Sequence, residues 1–88
     1  MKIKNPMIVR CVAGEHILVP SGEGMSRYGG VFVTTEIGAE IWKMLEQGLE
    51  KPAILEALLE EYDVDEATLT ADCDRFLQKL LEHGLIEE

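Results

Sequence analysis

The spacing of hydrophobic residues changes near the middle of the chain, from a strand-like period of two to a helical period. Residues 7–12 form an apolar, β-branched run, and residues 16–19 form a second one directly after a turn that contains Gly14. Two such runs joined by a short turn predict a β-hairpin, with Pro20 at the end of its second strand or at its edge. Residues 31–34 predict a third, short strand.

The segment between the second and third predicted strands is rich in glycine. Residues 20–30 contain four glycines and two serines, which predicts an irregular, mobile loop rather than a regular element. A flexible hinge beside an edge strand also favours domain swapping. Whether this loop takes part in binding is left open by the sequence.

The second half of the chain predicts three helices, each with start or stop signals. Thr35 is the expected N-cap of the first helix, which Gly48 ends. Pro52 lies in the first turn of the second helix, and Asp65 caps the third, which Gly84 ends. The order of elements is therefore βββααα. It predicts an α+β fold, a winged helix-turn-helix with a three-stranded antiparallel sheet followed by three helices, and one domain over residues 1–88.

Apolar stripes at helical spacing predict the side of each helix that faces the core. Trp42 is expected to pack beside the first stripe, and residues 85–86 are expected to fold back on the core. The stripes are Ile37, Ile41, Met44 and Leu45 in the first helix, Ile54, Leu55, Leu58, Leu59 and Tyr62 in the second, and Leu69, Cys73, Phe76, Leu77 and Leu80 in the third.

Charge is distributed very unevenly along the chain, whose net charge is −9. Residues 1–34 carry four basic and two acidic side chains, whereas residues 35–88 carry four basic and fifteen acidic ones. An acidic helical half repels phosphate, so nucleic acid is not expected as a partner. The apolar residues form separated clusters, which excludes a membrane span, and the N-terminus lacks the apolar core of a signal peptide. We therefore expect a cytoplasmic protein.

The sequence offers little material for catalysis or metal binding. Cys11 and Cys73 lie far apart without ligand spacing, and we expect both to be buried thiols, with a disulfide between them as the alternative. The two histidines, His16 and His83, belong to no pattern of metal ligands, and the loop serines have no adjacent base. We therefore expect no catalytic residue, no metal and no cofactor.

Two surface features suggest binding. The short strand of residues 31–34 is predicted to lie at a sheet edge, where unpaired backbone groups accept another strand. On the third helix, Asp72, Phe76, Lys79 and His83 form a mixed stripe with Arg75 beside it. An interior strand and an ordinary solvated helix flank are the alternative interpretations.

These segments, taken in order, resemble a known family. TTEIGAEIW at residues 34–42, ILEAL at 54–58, EYDVD at 61–65 and FLQKLLEHGLI at 76–86 follow the order and spacing of the PqqD-like peptide chaperones, also called RiPP recognition elements. The resemblance covers about residues 7–86.

The resemblance implies a function that composition alone does not. Such a domain captures the leader segment of a ribosomally made precursor peptide by β-strand addition and presents it to a modifying enzyme, typically a radical SAM enzyme, which would hold the iron–sulfur chemistry. The domain itself would be a monomer or a weak homodimer. Carried over by position, the peptide-binding residues are Val31, Phe32, Val33, Thr34, Asp72, Arg75, Phe76 and Lys79.

Two other functions remain open at this point. Winged helices commonly bind DNA, but the acidic residues of the third helix disfavour a transcription regulator. A structural or dimerisation subunit would require a large exposed apolar surface, which the sequence does not exclude.

Overall fold

The structure is a computed structural model that describes residues 1–20 and 32–87. Its elements, in chain order, are β1 (Lys2–Ile3), β2 (Met7–Val12), β3 (Glu15–Pro20), β4 (Phe32–Thr34), α1 (Glu36–Glu46), α2 (Lys51–Glu61), α3 (Glu66–Glu82) and β5 (Ile86–Glu87). Strands β2, β3 and β4 form an antiparallel sheet in that order. The predicted α+β arrangement of a three-stranded antiparallel sheet followed by three helices is thus confirmed.

The β2–β3 hairpin has a two-residue turn, because Val12 pairs with Glu15. Ala13 (φ +52°) and Gly14 (φ +82°) both have positive φ, as a type I′ turn requires. This turn matches the right-handed twist of the strands, and it fixes the register of the hairpin as far as Pro20. Pro20 is the last residue of β3, as predicted.

The predicted caps of the first and third helices are confirmed. The Thr35 hydroxyl accepts a hydrogen bond from the Gly38 N–H at 3.1 Å, and the Asp65 carboxylate accepts one from the Thr68 N–H at 3.2 Å. Each bond satisfies one of the unpaired N–H groups in a first helical turn. The start of α1 therefore lies directly after β4, with Thr35 as the single connecting residue.

The three helices and the inner face of the sheet enclose one hydrophobic core. Trp42 is completely buried in it, as predicted, and so are Ile54, Leu58 and Leu80 from the predicted stripes. Cys73 is also fully buried on α3.

The prediction that Cys11 is buried is wrong, because its side chain is exposed. Cys11 lies near the tip of the hairpin, where residues 12–15 are also exposed. The tip extends beyond the area that the helices cover. The last residues of β2 are therefore exposed although the strand is apolar.

A second, small sheet closes the fold and was not expected from the sequence. Residues 2–3 of β1 pair antiparallel with residues 86–87 of β5. The Asn5 side chain donates a hydrogen bond to the carbonyl of Gly84, and Leu85 and Ile86 are buried. The predicted return of residues 85–86 to the core is confirmed, and this return gives β1 its partner.

Three expectations fall on residues 21–31, which lie outside the described part of the chain. They are the mobile glycine-rich loop, its use as a swapping hinge, and the assignment of Val31 to the third strand. Within the described residues, no helix has both the length and the apolar character that a membrane crossing needs.

Candidate functional site

Along an antiparallel strand, successive residues direct their N–H and C=O groups alternately to one neighbouring strand and to the opposite side. The hairpin turn fixes which residues of β3 face β2 and which face β4. In a hairpin closed by a two-residue turn, the closing residues Val12 and Glu15 form a hydrogen-bonded pair. Residues 17 and 19 of β3 therefore also bond to β2, and His16 and Leu18 direct their backbone groups to the other side, toward β4. Pro20 faces the same side as His16 and Leu18, away from β2. Because proline has no N–H, its place on this side means that β2 loses no hydrogen bond.

The same alternation leaves the outer edge of β4 open. His16 pairs with Thr34 and Leu18 with Phe32, so Phe32 and Thr34 direct their N–H and C=O groups to β3. Val33, between them, directs its N–H and C=O away from the sheet. Among the described residues, β3 is the only strand that pairs with β4. The edge that the sequence predicted over residues 31–34 is therefore present at Phe32–Thr34.

A groove of about 500 Å³ runs beside this open edge, between β4, α1 and α3. Seven of the eight predicted binding residues line it, and Val31 lies outside the described residues. The residues that line it are Phe32, Val33, Thr34, Thr35, Ile37, Gly38, Ile41, Asp72, Arg75, Phe76 and Lys79.

An aromatic contact ties the two walls of the groove together. The rings of Phe32 on β4 and Phe76 on α3 meet edge to face, with centroids 6.0 Å apart at 77°. Phe32 also meets the ring of His83 edge to face, with centroids 5.5 Å apart at 81°. Edge-to-face geometry is favourable for aromatic pairs and adds to the apolar area that they bury. It holds β4 against α3, so the spacing between the edge and the helix is set before any ligand binds.

Gly38 allows α1 to approach the other two elements at the floor of the groove. A methyl group in its place would overlap the Thr34 hydroxyl and lie 3.0 Å from Cε1 of Phe76. Thr34 and Phe76 therefore occupy the space that a side chain at residue 38 would need.

The charged residues of the groove lie on α3. Arg75 forms an ion pair with Asp72 one turn earlier, and its side chain is 74% exposed. Lys79, one turn later, is exposed and has no ion pair within the described part of the chain. The cation of Lys79 is thus available to a ligand, whereas that of Arg75 is already partly compensated.

Sequence reasoning missed four residues of the groove, namely the N-cap Thr35 and three residues in the first half of α1. Ile37 and Ile41 were assigned to the core, but Ile37 is only half-buried and contributes to the groove wall. Thr35 was interpreted only as a cap, and Gly38 received no role. A glycine in the first turn of a capped helix is unfavourable for the helix, so its presence at residue 38 was the sequence signal that another element lies close there.

The groove has the composition of a binding surface. Its floor is apolar, its rim carries two cations and one carboxylate, and its open side is a strand edge that presents one residue's N–H and C=O. The described residues contain no group of three or more side chains arranged to hold a metal ion.

Comparisons with known proteins show a family and a similar solved structure. The profile of a family described as "Coenzyme PQQ synthesis protein D (PqqD)" matches residues 15–86, which include β3, β4 and all three described helices. A solved structure described as "TbiB1 in Complex with the TbiA(beta) Leader Peptide" is similar, with a TM-score of 0.77 and 30% sequence identity over 99% of this chain and 95% of that one. No curated protein matches the sequence.

Proposed function

The chain belongs to the PqqD family, and from this premise we propose that it is a RiPP recognition element that binds the leader segment of a ribosomally synthesised precursor peptide. It acts by strand addition, without catalysing a reaction itself. The observation that carries the proposal is the open edge of β4 beside a preformed groove. The similar protein TbiB1 was solved in complex with a leader peptide, which supports the same kind of ligand here.

The leader adds to β4 as an antiparallel or parallel strand, with its backbone bonded to the N–H and C=O of Val33. Alternate side chains of the added strand point to one face, so every second leader residue enters the groove between β4 and α3. Backbone bonds supply affinity that tolerates changes in sequence, and the groove selects the side chains. Phe32, Val33, Thr34, Asp72, Arg75, Phe76 and Lys79 are the binding residues of this proposal, and Val31 extends the strand.

The rim of the groove favours a leader with acidic side chains. Lys79 is the principal cation, because the charge of Arg75 is shared with Asp72. A leader carboxylate near Lys79 would form a new ion pair at the rim, where such pairs contribute modestly to affinity and more to orientation.

A modifying enzyme is the second proposed partner. The domain presents the core segment of the precursor to that enzyme, typically a radical SAM protein in this family, and the iron–sulfur chemistry belongs to the partner. The chain needs no cofactor of its own for this role.

The charge of α3 disfavours the rival function of a DNA-binding winged helix. The helix carries Asp72, Asp74 and Glu82 against Arg75 and Lys79, and one of these cations is already paired. Such a surface gains little from counterion release, which supplies most nucleic-acid affinity.

The test is an amide NMR titration of the full chain with the leader half of the precursor peptide encoded beside it. We expect shifts concentrated on residues 32–34 and on the 72–79 face of α3. The absence of shifts at high peptide concentration would refute leader binding. Shifts located only on α2 would refute the groove as its site.

The charge of the rim is tested by three matched variants in calorimetric titrations. Lys79→Gln should weaken leader binding by about three- to tenfold, and Arg75→Gln by less. Reversing both charges should weaken it by about tenfold or more. Lys43→Gln is the control, because Lys43 is exposed on α1, pairs with Glu40 and does not line the groove. Equal effects of Lys79→Gln and Lys43→Gln would show that only net charge matters.

A further inference from the structure

A second groove lies along α2, and it shares no lining residue with the groove beside β4. It is open to solvent and has a volume of about 500 Å³. We call it the α2 groove. It is lined by Pro52, Leu55, Glu56, Leu59 and Glu60 on α2 and by Glu66 at the start of α3.

Helix α2 is apolar on two adjacent faces. Ile54 and Leu58 are completely buried in the core. Leu55 and Leu59 lie about 100° further around the helix, where each is only half-buried. A helix that packs against one core normally has a single apolar stripe and polar residues on the rest of its surface. The second stripe therefore gives the α2 groove an apolar floor that the fold covers only in part.

The rim of the α2 groove is acidic. Among the described residues, it carries three exposed carboxylates, those of Glu56, Glu60 and Glu66, and no cation. None of the three forms an ion pair or a side-chain hydrogen bond within the described part of the chain. Glu56 and Glu60 are one helical turn apart, a spacing at which like charges repel. Lys51, the one cation of α2, is paired with Asp74 on α3. A cation from another molecule would therefore find three uncompensated carboxylates here.

The chemistry of the α2 groove selects a basic helix as its occupant. The lining residues belong to helices, which bond most of their backbone groups internally, so an added strand would gain few backbone bonds. A helix satisfies its own backbone, and apolar side chains four residues apart match the spacing of Leu55 and Leu59. Basic side chains beside that apolar stripe would meet the three glutamates.

The charge of the α2 groove also disfavours the other candidate occupants. The groove beside β4 carries Arg75 and Lys79, so an acidic leader is attracted to that groove and repelled by this one. A second copy has a net charge of −9, with fifteen acidic and four basic side chains in residues 35–88, so two helical surfaces repel each other. The modifying enzyme is the partner that has to hold the domain while the leader occupies β4.

We infer that the α2 groove is the docking site for a basic amphipathic helix of the modifying enzyme. Apolar side chains of that helix contact Leu55 and Leu59, and its lysines or arginines pair with the glutamates of the rim. The leader and the enzyme then bind through different residues of the domain, so one domain can hold both at once. The inference rests on the proposed function for the identity of the partner.

Charge reversal on α2 tests this docking site. Glu56→Lys together with Glu60→Lys reverses two exposed carboxylates of the rim. Glu46→Lys together with Glu82→Lys is the matched control, because it changes the net charge equally at two exposed residues outside both grooves. In calorimetric titrations with the purified modifying enzyme encoded beside the chain, the α2 pair should weaken binding at least about tenfold and the control pair less than about threefold. A wild type that does not bind the enzyme, or equal losses for the two pairs, would overturn the inference.

NMR locates the contact without any substitution. When unlabelled enzyme is added to the isotope-labelled chain, the amide signals of residues 53–60 should broaden most. Broadening centred on the β2–β3 hairpin would overturn the inference. Concentration-dependent shifts of residues 53–60 in the chain alone would place a second copy in the α2 groove, and would also overturn it.

Leader titrations of the same variants separate this inference from the proposed function. The α2 pair should bind the leader within about twofold of the wild type, because neither residue lines the groove beside β4. If the leader binds and the enzyme titrations fail, the docking site is refuted and leader binding stands. If the leader does not bind but the enzyme binds through α2, the docking site stands and the proposed leader function is refuted.

Discussion

Thr34 on β4 and Gly38 on α1 lie so close together that the Thr34 hydroxyl fills the space of a side chain at residue 38. Thr34 also belongs to the strand that we propose the leader extends. Because Gly38 has no Cβ, β4 can lie close against the first turn of α1. The residue at position 38 of α1 therefore affects the shape of the groove.

Gly38→Ala should therefore destabilise the protein although alanine is the better helix former. The helix would gain about 1 kcal/mol from the substitution, but the overlap with Thr34 would force β4 or Phe76 to move. Overpacking of this kind costs typically about 1–3 kcal/mol. The difference is a net loss of up to about 2 kcal/mol in the free energy of unfolding, measured by urea denaturation with Trp42 fluorescence, and we also expect weaker leader binding.

The double variant Gly38→Ala, Thr34→Ala is the control for this prediction. Without the hydroxyl, the nearest group of residue 34 is its Cβ, 3.2 Å from the new methyl group, which small adjustments accommodate. The double variant should therefore regain stability relative to Gly38→Ala. A Gly38→Ala protein as stable as the wild type would show that α1 and β4 are not packed this closely.

The sequence predicts those features that depend on residues close together in the chain. The caps at Thr35 and Asp65 involve residues three positions apart, so their outcome is decided within one turn. The burial of Trp42 follows from the periodicity of its helix. Such features are confirmed because no distant part of the chain can easily alter them.

Other features depend on how distant elements meet, and the sequence could not give them. The exposure of Cys11 depends on how far the helices cover the hairpin, which the composition of β2 does not record. The pairing of residues 2–3 with residues 86–87 joins two-residue strands that have no periodicity to detect. The roles of Gly38 and Ile37 in the groove likewise depend on the approach of α1 to β4 and α3.

The two cysteines should differ strongly in reactivity. Cys11 is exposed, whereas Cys73 is completely buried, and burial raises the pKa of the Cys73 thiol above its ordinary value. Reaction of Cys73 requires opening of the core, which for a domain stable by about 5 kcal/mol leaves it at least about a thousandfold slower. With a coloured disulfide reagent, we expect one thiol to react at once and the second only on denaturation.

Single-cysteine variants assign these two phases. Cys11→Ser should abolish the rapid phase, and Cys73→Ser should abolish the slow one. Two rapid thiols in the wild type would contradict the packing of α3 described above.

Tyr62 should make stability fall at high pH. Partial burial, together with a hydrogen bond from its hydroxyl to the Glu36 carboxylate at 3.2 Å, raises the pKa of Tyr62 from 10.0 to about 12. Between these values the folded protein keeps a proton that the unfolded chain loses, so the contribution of Tyr62 to stability is complete below pH 10 and disappears as the pH rises to about 12. Urea midpoints from pH 9 to 12 should therefore fall more steeply for the wild type than for Tyr62→Phe.

The comparison with Tyr62→Phe removes the effects of lysines and other groups that titrate in the same range, because both proteins contain them. A Tyr28→Phe variant leaves Tyr62 as the sole tyrosine, so its ionisation can be followed directly by ultraviolet absorbance. Glu36→Gln in that background should lower the pKa of Tyr62, since it removes the negative charge that opposes phenolate formation. A Tyr62 that ionises near pH 10 in the folded protein would show that its contact with Glu36 does not persist in solution.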